Sequence, residues 1–514
     1  MSVKGSASSL LIRGIIMAVI SFGLLAFASN VYGAEEEDEH IILERFTSYL
    51  DMRIPVLMAD YDIPGASIAL IQKGKTTWVK AYGHADLEAG RKMTVDTPVM
   101  VQSISKPVTA WGVMKLVQEG KIQLDHPVER YLNGFTLPET AFSEEKVTVR
   151  NLLSNSAGMP LGNVLERYSP KGKIPSLEES LSREAWLQRE PSEAFSYSNT
   201  GFNLLELLIE EVTGREFARY MEEEVLLPLG MDASSFTWSE QWYPPVPTGY
   251  DTKGAPVPVY VYPGRASGGL FATVEDIASF VSAGMPGFSQ RGSEVLDTQN
   301  IRLLHTPAVE IPGLYGLAFD YYGLGHFIET LPDDKTSVSH GGQGYGWMTH
   351  FQSVPETGDG IVILTNSQRS WPFFAHILSD WSEWNGLPPL GMSRIILAQR
   401  LVWALTGMIM FTVFWRSWHL GKELASGRRR FAPLSKDNFI RRSVEACLSV
   451  VLLSCLFWCI CQDYLFITSL LPKASFWLGV SIFGFALVLL SSAVFPFKQN
   501  KQGDGSIVCS SPKS

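Results

Sequence analysis

Three apolar runs near the C-terminus constrain this chain more than any other feature: Ile395–Trp415, Val444–Cys461 and Phe476–Phe495. Each has about the length a helix needs to cross the ~30 Å hydrocarbon layer of a bilayer. They also explain a mean hydropathy of +0.08 and a 46% share of hydrophobic residues, which is high for a wholly soluble protein. Between the first two runs, Arg416 to Arg442 holds Lys422, Arg428, Arg429, Arg430, Lys436 and Arg441. Such density marks a cytoplasmic loop, and the lysine-bearing tail (Lys498, Lys501, Lys513) falls on the same side. The spans are therefore placed at 394–416, 444–464 and 476–496, with a basic loop over 417–443 and a cytoplasmic tail over 497–514. Arg394 and Arg400 lie toward the outer side, where long side chains can snorkel to the interface.

The N-terminus agrees with this topology. Lys4 and Arg13 precede an apolar stretch, Gly14 to Ala28, and small residues around Val31-Tyr32-Gly33 lead into the acidic run Glu35 to Glu39. Residues 1–34 thus read as a secretory signal peptide. What remains, 35–390, is one exported domain. All five cysteines (Cys447, Cys455, Cys459, Cys461 and Cys509) lie beyond it. It can hold neither a disulfide nor a cysteine metal site, so packing must stabilise it. His84, His126, His305, His326, His350 and His376 are scattered without His-Glu-x-x-His spacing, so no metal and no cofactor is expected. A net charge of −10 gives no reason to expect a nucleic-acid partner.

Within this domain, helical spacing runs from about Glu36 to Leu50. Ala66–Gln72 alternates toward a strand, and Lys73-Gly74-Lys75 turns it back through Thr76–Tyr82 as a hairpin. A helix follows from Ser103 to about Glu119, with Pro107 in its first turn and Gly120 as its stop. Helices are expected over Leu204–Val212, Phe217–Val225, Thr273–Phe280 and Phe373–Trp384. Strands are expected leading into His340, through Trp347–Phe351 and over Ile361–Thr365. Strands early and late, with a helix-rich middle, predict an α+β domain whose first and last segments share one antiparallel sheet.

The chemistry concentrates in three places. Ser103 and Lys106 stand one helical turn apart, so their side chains share a face. A serine hydroxyl needs a base beside it to act as a nucleophile. A lysine serves if burial and a helix N-terminus keep its amine neutral part of the time. Second, Phe195-Ser196-Tyr197-Ser198-Asn199 sets a tyrosine able to relay a proton two residues before an asparagine able to bind a substrate carbonyl or Lys106. Third, Ser339-His340-Gly341-Gly342-Gln343-Gly344 ends a strand in glycines, where substrate backbone can approach and a backbone N–H can join that of Ser103 in an oxyanion hole. Ser67, inside Gly65-Ala66-Ser67-Ile68-Ala69, is read as strand filler, and Ser105 as a bystander.

In this order, the three elements resemble the serine β-lactamase and penicillin-binding protein superfamily, nearest its class C-like branch of D-peptidases, esterases and β-lactamases. The resemblance covers about residues 45–386. It places Ser-x-x-Lys on Ser103 and Lys106, Tyr-x-Asn on Tyr197 and Asn199, and Lys/His-x-Gly on His340 and Gly342. Leu152–Pro160, Pro228–Met231 and Ser267-Gly268-Gly269-Leu270 look familial as well. It implies catalysis by Ser103, Lys106 and Tyr197, substrate or oxyanion contacts by Asn199, His340, Gly342 and Gln343, and no cofactor. The implied fold is a β-lactamase-like antiparallel sheet flanked by helices, with an all-helical subdomain and the site between them. The implied setting is the outer face of a bacterial cytoplasmic membrane, and the implied substrate a small peptide, ester or amide. Class C β-lactamases usually carry lysine at the position of His340, whereas histidine is familiar in D-peptidases and esterases. The three-span layout resembles membrane peptidases that remove an N-acyl-D-asparagine cap from peptide prodrugs, although those can carry serine where this chain has Asn199. The expectation is a membrane-anchored serine hydrolase of D-amino-acid peptides. A carboxylesterase, a weak β-lactamase, and a penicillin- or peptidoglycan-binding sensor that does not turn over are the alternatives.

Overall fold

The computed structural model describes residues 41–498, apart from 164–165, 290, 314, 434, 436 and 463–465. The predicted signal peptide and most of the predicted tail lie outside the described residues. The chain divides into two compact units, Met1–Asp60 and Tyr61–Ser514. In the first, the helix expected over 36–50 is present from 41 and continues to 61 (α1), with Phe46, Leu50, Ile54 and Leu57 on one face.

The second unit is built on an antiparallel sheet. Its early strands are β1 (Gly65–Gln72), β2 (Lys75–Asp86) and β3 (Arg91–Lys92). A short β4 (Val99–Met100) leads to the helical middle, β5 (Gly249–Tyr250) and β6 (Pro256–Val257) form a ribbon, and β7 (Phe271–Ala272) returns to pair with β4. The late strands are β8 (Val309–Glu310), β9 (Tyr321–Tyr322), β10 (Phe327–Thr330), β11 (Thr336–Gln343), β12 (Met348–Val354) and β13 (Asp359–Thr365). Their order in the sheet is β3-β2-β1-β13-β12-β11-β10-β9-β8. First and last segments meet as expected, with Ala66 opposite Thr365 and Ile71 opposite Gly360. One expectation changes. β1 does not alternate but is buried from Gly65 to Ile71, the pattern of a strand covered on both faces.

Helices α2 (Ser105–Gln118), α3 (Val149–Leu153), α4 (Leu177–Glu184), α5 (Asn199–Thr213), α6 (Phe217–Met221), α7 (Val274–Ala283), α8 (Thr298–Leu304) and α9 (Trp371–Trp384) complete the domain. α2 is its centre. Val108, Trp111, Met114 and Leu116 have no exposed surface, and a helix that is apolar all round belongs in a core. Gly120 ends it as read from the sequence, at φ +71° with its N–H on the Val117 carbonyl.

Among the described residues, three helices are long and apolar enough to cross a membrane: α10 (Arg394–Ala425), α11 (Phe439–Ile460) and α13 (Pro472–Val494). The predicted loop over 417–443 narrows to 426–438, because α10 runs on past the apolar stretch and α11 starts earlier. Arg442 donates to the carbonyls of Ala432, Pro433 and Ala493, so part of the basic cluster ties helix ends together. The link between the last two spans contains a short helix that the sequence did not disclose, α12 (Phe466–Leu470). Ser469 on α12 donates to the Gln368 carbonyl (2.6 Å) and lies 3.7 Å from the Met348 sulfur, fastening this link to the strand–helix core of the domain.

Candidate active site

The turn that carries Ser103 is held under strain. Gln102 sits at φ +54°, in a region that non-glycine residues seldom occupy and that costs of order 1–3 kcal/mol. Its side chain locks it there, donating to the Tyr260 hydroxyl (3.2 Å) and accepting from that of Tyr262 (3.0 Å). A short 3₁₀ turn, Gln102–Ile104, then feeds into α2. Ser103 is left half-exposed, with its N–H among the first of a helical run, which have no partner inside it.

Lys106 follows one turn on and is completely buried. Its Nζ lies 3.1 Å from Ser103 Oγ, 2.7 Å from Asn199 Oδ1 and 2.8 Å from the Ser267 carbonyl. Two of these partners only accept, while the serine hydroxyl can also donate. A neutral amine fits the trio without conflict: two N–H bonds go to Asn199 and Ser267, and the lone pair faces the Ser103 proton. Burial acts in the same direction, holding the Lys106 pKa well below that of an ordinary lysine.

Ser267 belongs to a segment strapped onto α2. Thr109 donates to the Ala266 carbonyl, and Ser105 accepts from the Leu270 N–H. The buried Glu206 accepts from the N–H groups of Arg265 and Ala266. Burial raises the Glu206 pKa to about 7, with the Arg265 charge partly opposing the rise.

Tyr197 stands over the same group, with its ring centroid 4.9 Å from Lys106 Nζ. Asn155 brackets it, its carbonyl taking the Ser196 N–H (2.6 Å) and its Oδ1 the Ser198 N–H (2.9 Å). The ring is boxed by Phe195, Tyr315, Tyr322 and Phe327. Burial pushes its phenol well above the usual range, and a hydrogen bond with the Ser103 side chain offsets part of that. The phenol is therefore neutral at rest; a standing phenolate, open from the sequence, is not what this environment favours.

The third element meets the turn from the sheet. Gly342 has no room for a side chain, because a Cβ there would lie 2.1 Å from the Val101 carbonyl and 2.2 Å from Thr349 Oγ1. Gly344 N–H donates to the Trp347 carbonyl across the β11–β12 turn. With a strand period of two, the Gln343 N–H points to the opposite edge, past Ser339, where pairing with β10 stops. The end of β11 packs against the turn bearing Ser103, since a Cβ on Gly344 would meet the Gln102 side chain. Gln343 Oε1 accepts from Trp371 Nε1 at 3.2 Å.

His340 occupies a different place from the one expected. Its side chain is wholly buried. Nδ1 lies 2.9 Å from the Gly341 carbonyl and Nε2 lies 3.1 Å from the Tyr322 hydroxyl. A carbonyl accepts only, so Nδ1 carries the proton and Nε2 accepts from Tyr322. Burial first, and then repulsion from Lys106 whenever that amine is protonated, hold its pKa well below that of a free imidazole. It is a neutral prop behind Tyr197 and Lys106, with both nitrogens engaged. Asn199 likewise spends its Oδ1 on Lys106. Ser105 is an internal brace, and Ser67 is buried in β1, apart from the cluster.

The sequence reading missed Gln102, Asn155, Glu206 and Ser267. Only Asn155 and Ser267 lay in stretches noted as familial. Gln102 acts through its backbone angle and Ser267 through a carbonyl, neither of which residue type reveals.

An antiparallel sheet with its termini adjacent, and a serine, lysine and tyrosine converging at the start of a buried helix, define the class of serine hydrolases built on the β-lactamase fold. The Beta-lactamase family model matches residues 50–379, and the chain belongs to that family. Protein flp of Staphylococcus aureus (strain NCTC 8325 / PS 47) is 29% identical over 195 residues, which is 38% of this chain and 39% of that protein. Esterase EstB of Burkholderia gladioli is 31% identical over 203 residues, 37% of this chain and 52% of EstB. The matched regions thus span between about two fifths and half of these relatives. Among solved structures, the octameric penicillin-binding protein homologue from Pyrococcus abyssi is similar at 29% identity and a TM-score of 0.55, covering 62% of this chain and 73% of that one.

Proposed function

We propose that the protein is a membrane-anchored, extracytoplasmic acyl hydrolase that works through an acyl-enzyme on Ser103. The observation that carries this reading is the trio of partners around Lys106 Nζ, which leaves an amine lone pair for the Ser103 hydroxyl. Lys106 takes the Ser103 proton as Oγ attacks the substrate carbonyl. The N–H groups of Ser103 and Gln343 receive the oxyanion. The proton passes through Tyr197, whose neutral phenol donates to the leaving group as the acyl–leaving-group bond breaks. Water then attacks the acyl-enzyme with the same groups acting in reverse, and the acid product leaves. The three apolar helices hold this domain at the membrane surface.

The finer reading is a peptidase acting on D-amino-acid peptides of the cell wall or of a peptide prodrug. Support comes from His340, buried and neutral where a dedicated β-lactamase usually carries a lysine. Similarity to EstB favours a second reading, a carboxylesterase using the same residues. The test is turnover of paired D- and L-aminoacyl amides and simple esters by the full-length protein in detergent, beside Ser103→Ala. Hydrolysis that requires Ser103 and prefers D-aminoacyl amides is expected. Ser103-dependent ester cleavage without amide cleavage selects the esterase, and hydrolysis persisting in Ser103→Ala contradicts both.

A further inference from the structure

Arg167 stacks on two rings, Tyr345 and Tyr260, that take no part in the aromatic box around Tyr197. Its guanidinium carbon is 3.8 Å from the ring centroid of Tyr345 and 5.8 Å from that of Tyr260. Such stacking fixes the plane of the fork and leaves its N–H groups directed past the ring edges. Its chain neighbour Tyr168 is tied to Val261 in both directions (3.0 and 2.9 Å), which fixes the backbone from which it reaches. The side chain is half-buried, yet among the described residues Arg167 has no hydrogen-bond or ion-pair partner. The nearby carboxylates are engaged elsewhere. Glu166 pairs with Arg183 at 3.5 Å, and Asp251 accepts from the N–H groups of Lys253 and Ala255 through Oδ1 and from the Tyr345 hydroxyl, at 3.5 Å, through Oδ2.

The cradle is joined to the catalytic turn. Tyr260 accepts from the Tyr345 N–H (2.9 Å) and from the Gln102 amide (3.2 Å), and Gln102 immediately precedes Ser103. Tyr345 stands two residues beyond Gln343, in the β11–β12 turn. The guanidinium therefore stacks on the turn that follows the Gln343 strand. Tyr197 stands in a separate aromatic box, where the leaving group is protonated and departs. The part of the substrate that stays on Ser103 then runs toward Tyr345 and Arg167.

We propose that Arg167 binds a carboxylate on the acyl portion of the substrate, so that the enzyme prefers esters or amides whose acyl group carries an anion a few carbons from the scissile carbonyl. This rests on the acyl-hydrolase reading. Arg167 itself takes no part in the bond-breaking steps, so the two fail separately.

Two probes decide it with the full-length protein in detergent: the nitrophenyl half-ester of glutaric acid and the nitrophenyl ester of pentanoic acid. They share a chain length and differ in a terminal carboxylate. Wild type is expected to show the higher kcat/KM for the glutarate. Arg167→Gln should lower the glutarate-to-pentanoate ratio by about 10- to 100-fold, the range of one charge-assisted hydrogen bond. Arg167→Lys should restore part of the ratio, and added salt should shrink it in wild type. A ratio that Arg167→Gln leaves unchanged, or a wild-type preference for the neutral ester, overturns the proposal while leaving the hydrolase reading intact. If wild type cleaves neither ester and a fluorophosphonate does not label Ser103, the hydrolase reading falls and the proposal with it.

Discussion

At the residue scale the account turns on a lysine that gains its function from being expensive to charge. Taking an ammonium out of water disfavours the charged form, and Lys106 is buried with two acceptors and one hydroxyl around it. As pH falls through its depressed pKa the amine takes up a proton and stops accepting one from Ser103. Activity is therefore expected to fall on the acid side, and Lys106→Arg, charged at every accessible pH, is expected to be inactive. Tyr197→Phe keeps the aromatic box but removes the phenolic proton, so kcat should drop by roughly 10²–10⁴, as for the loss of an acid–base group. A steady-state rate equal to wild type would remove Tyr197 from the proton path. His340 and Asn199 show where residue type misleads. Both have side chains able to bind substrate, and both are used inward, one on Tyr322 and the other on Lys106.

At the scale of elements, the site is a meeting of three chain segments around the first turn of α2. The 265–270 segment supplies a carbonyl, the Tyr197 loop is bracketed by Asn155, and β11 closes the front through Gly342. Gly342→Ala would press a methyl group onto the Val101 carbonyl. Overpacking of this kind costs about 1–3 kcal/mol, so a lower Tm and a lower kcat are expected together, and an alanine variant with wild-type values for both contradicts the close approach. Glu206 gives the 265–270 segment a pH signature. Its folded pKa, about 7, lies above the ordinary 4.5, so the native state holds the proton longer than the unfolded chain. Its contribution to stability is full below pH 4.5 and is lost as pH rises through about 7. Glu206→Gln, which does not titrate, should flatten that part of the Tm profile between pH 5 and 8, and an identical profile in the variant would argue against it. These elements were partly legible beforehand. The hairpin β1–β2, α2 with its glycine stop, and the pairing of early with late strands follow from local turn chemistry and hydrophobic period. The strain at Gln102, the use of the Ser267 carbonyl and the burial of β1 on both faces were not legible, because they are set by tertiary contacts.

At the scale of the whole molecule, the three apolar helices among the described residues were legible in approximate position, since composition alone marks such runs. Their ends were not, because α10 and α11 continue into the basic segment, where Arg442 pairs with helix-end carbonyls. The proposed topology places 426–438 in the cytoplasm and the hydrolase domain outside. A fluorescent-protein fusion after residue 430 should therefore fluoresce, and an alkaline phosphatase fusion at the same point should be inactive; the reverse pattern would invert the topology. Ser469 fastens the link between the last two apolar helices to Gln368 and Met348, the latter paired with Gln343 in the sheet. The most direct measurement is the rate at which a fluorophosphonate labels the intact membrane protein, followed against pH and mapped by mass. The account predicts a single adduct on Ser103 and a rate that falls about tenfold per unit on the acid side of a pKa below the ordinary lysine value of 10.5, with no labelling in Lys106→Arg. A rate indifferent to pH, or an Lys106→Arg variant that labels as fast as wild type, would contradict it.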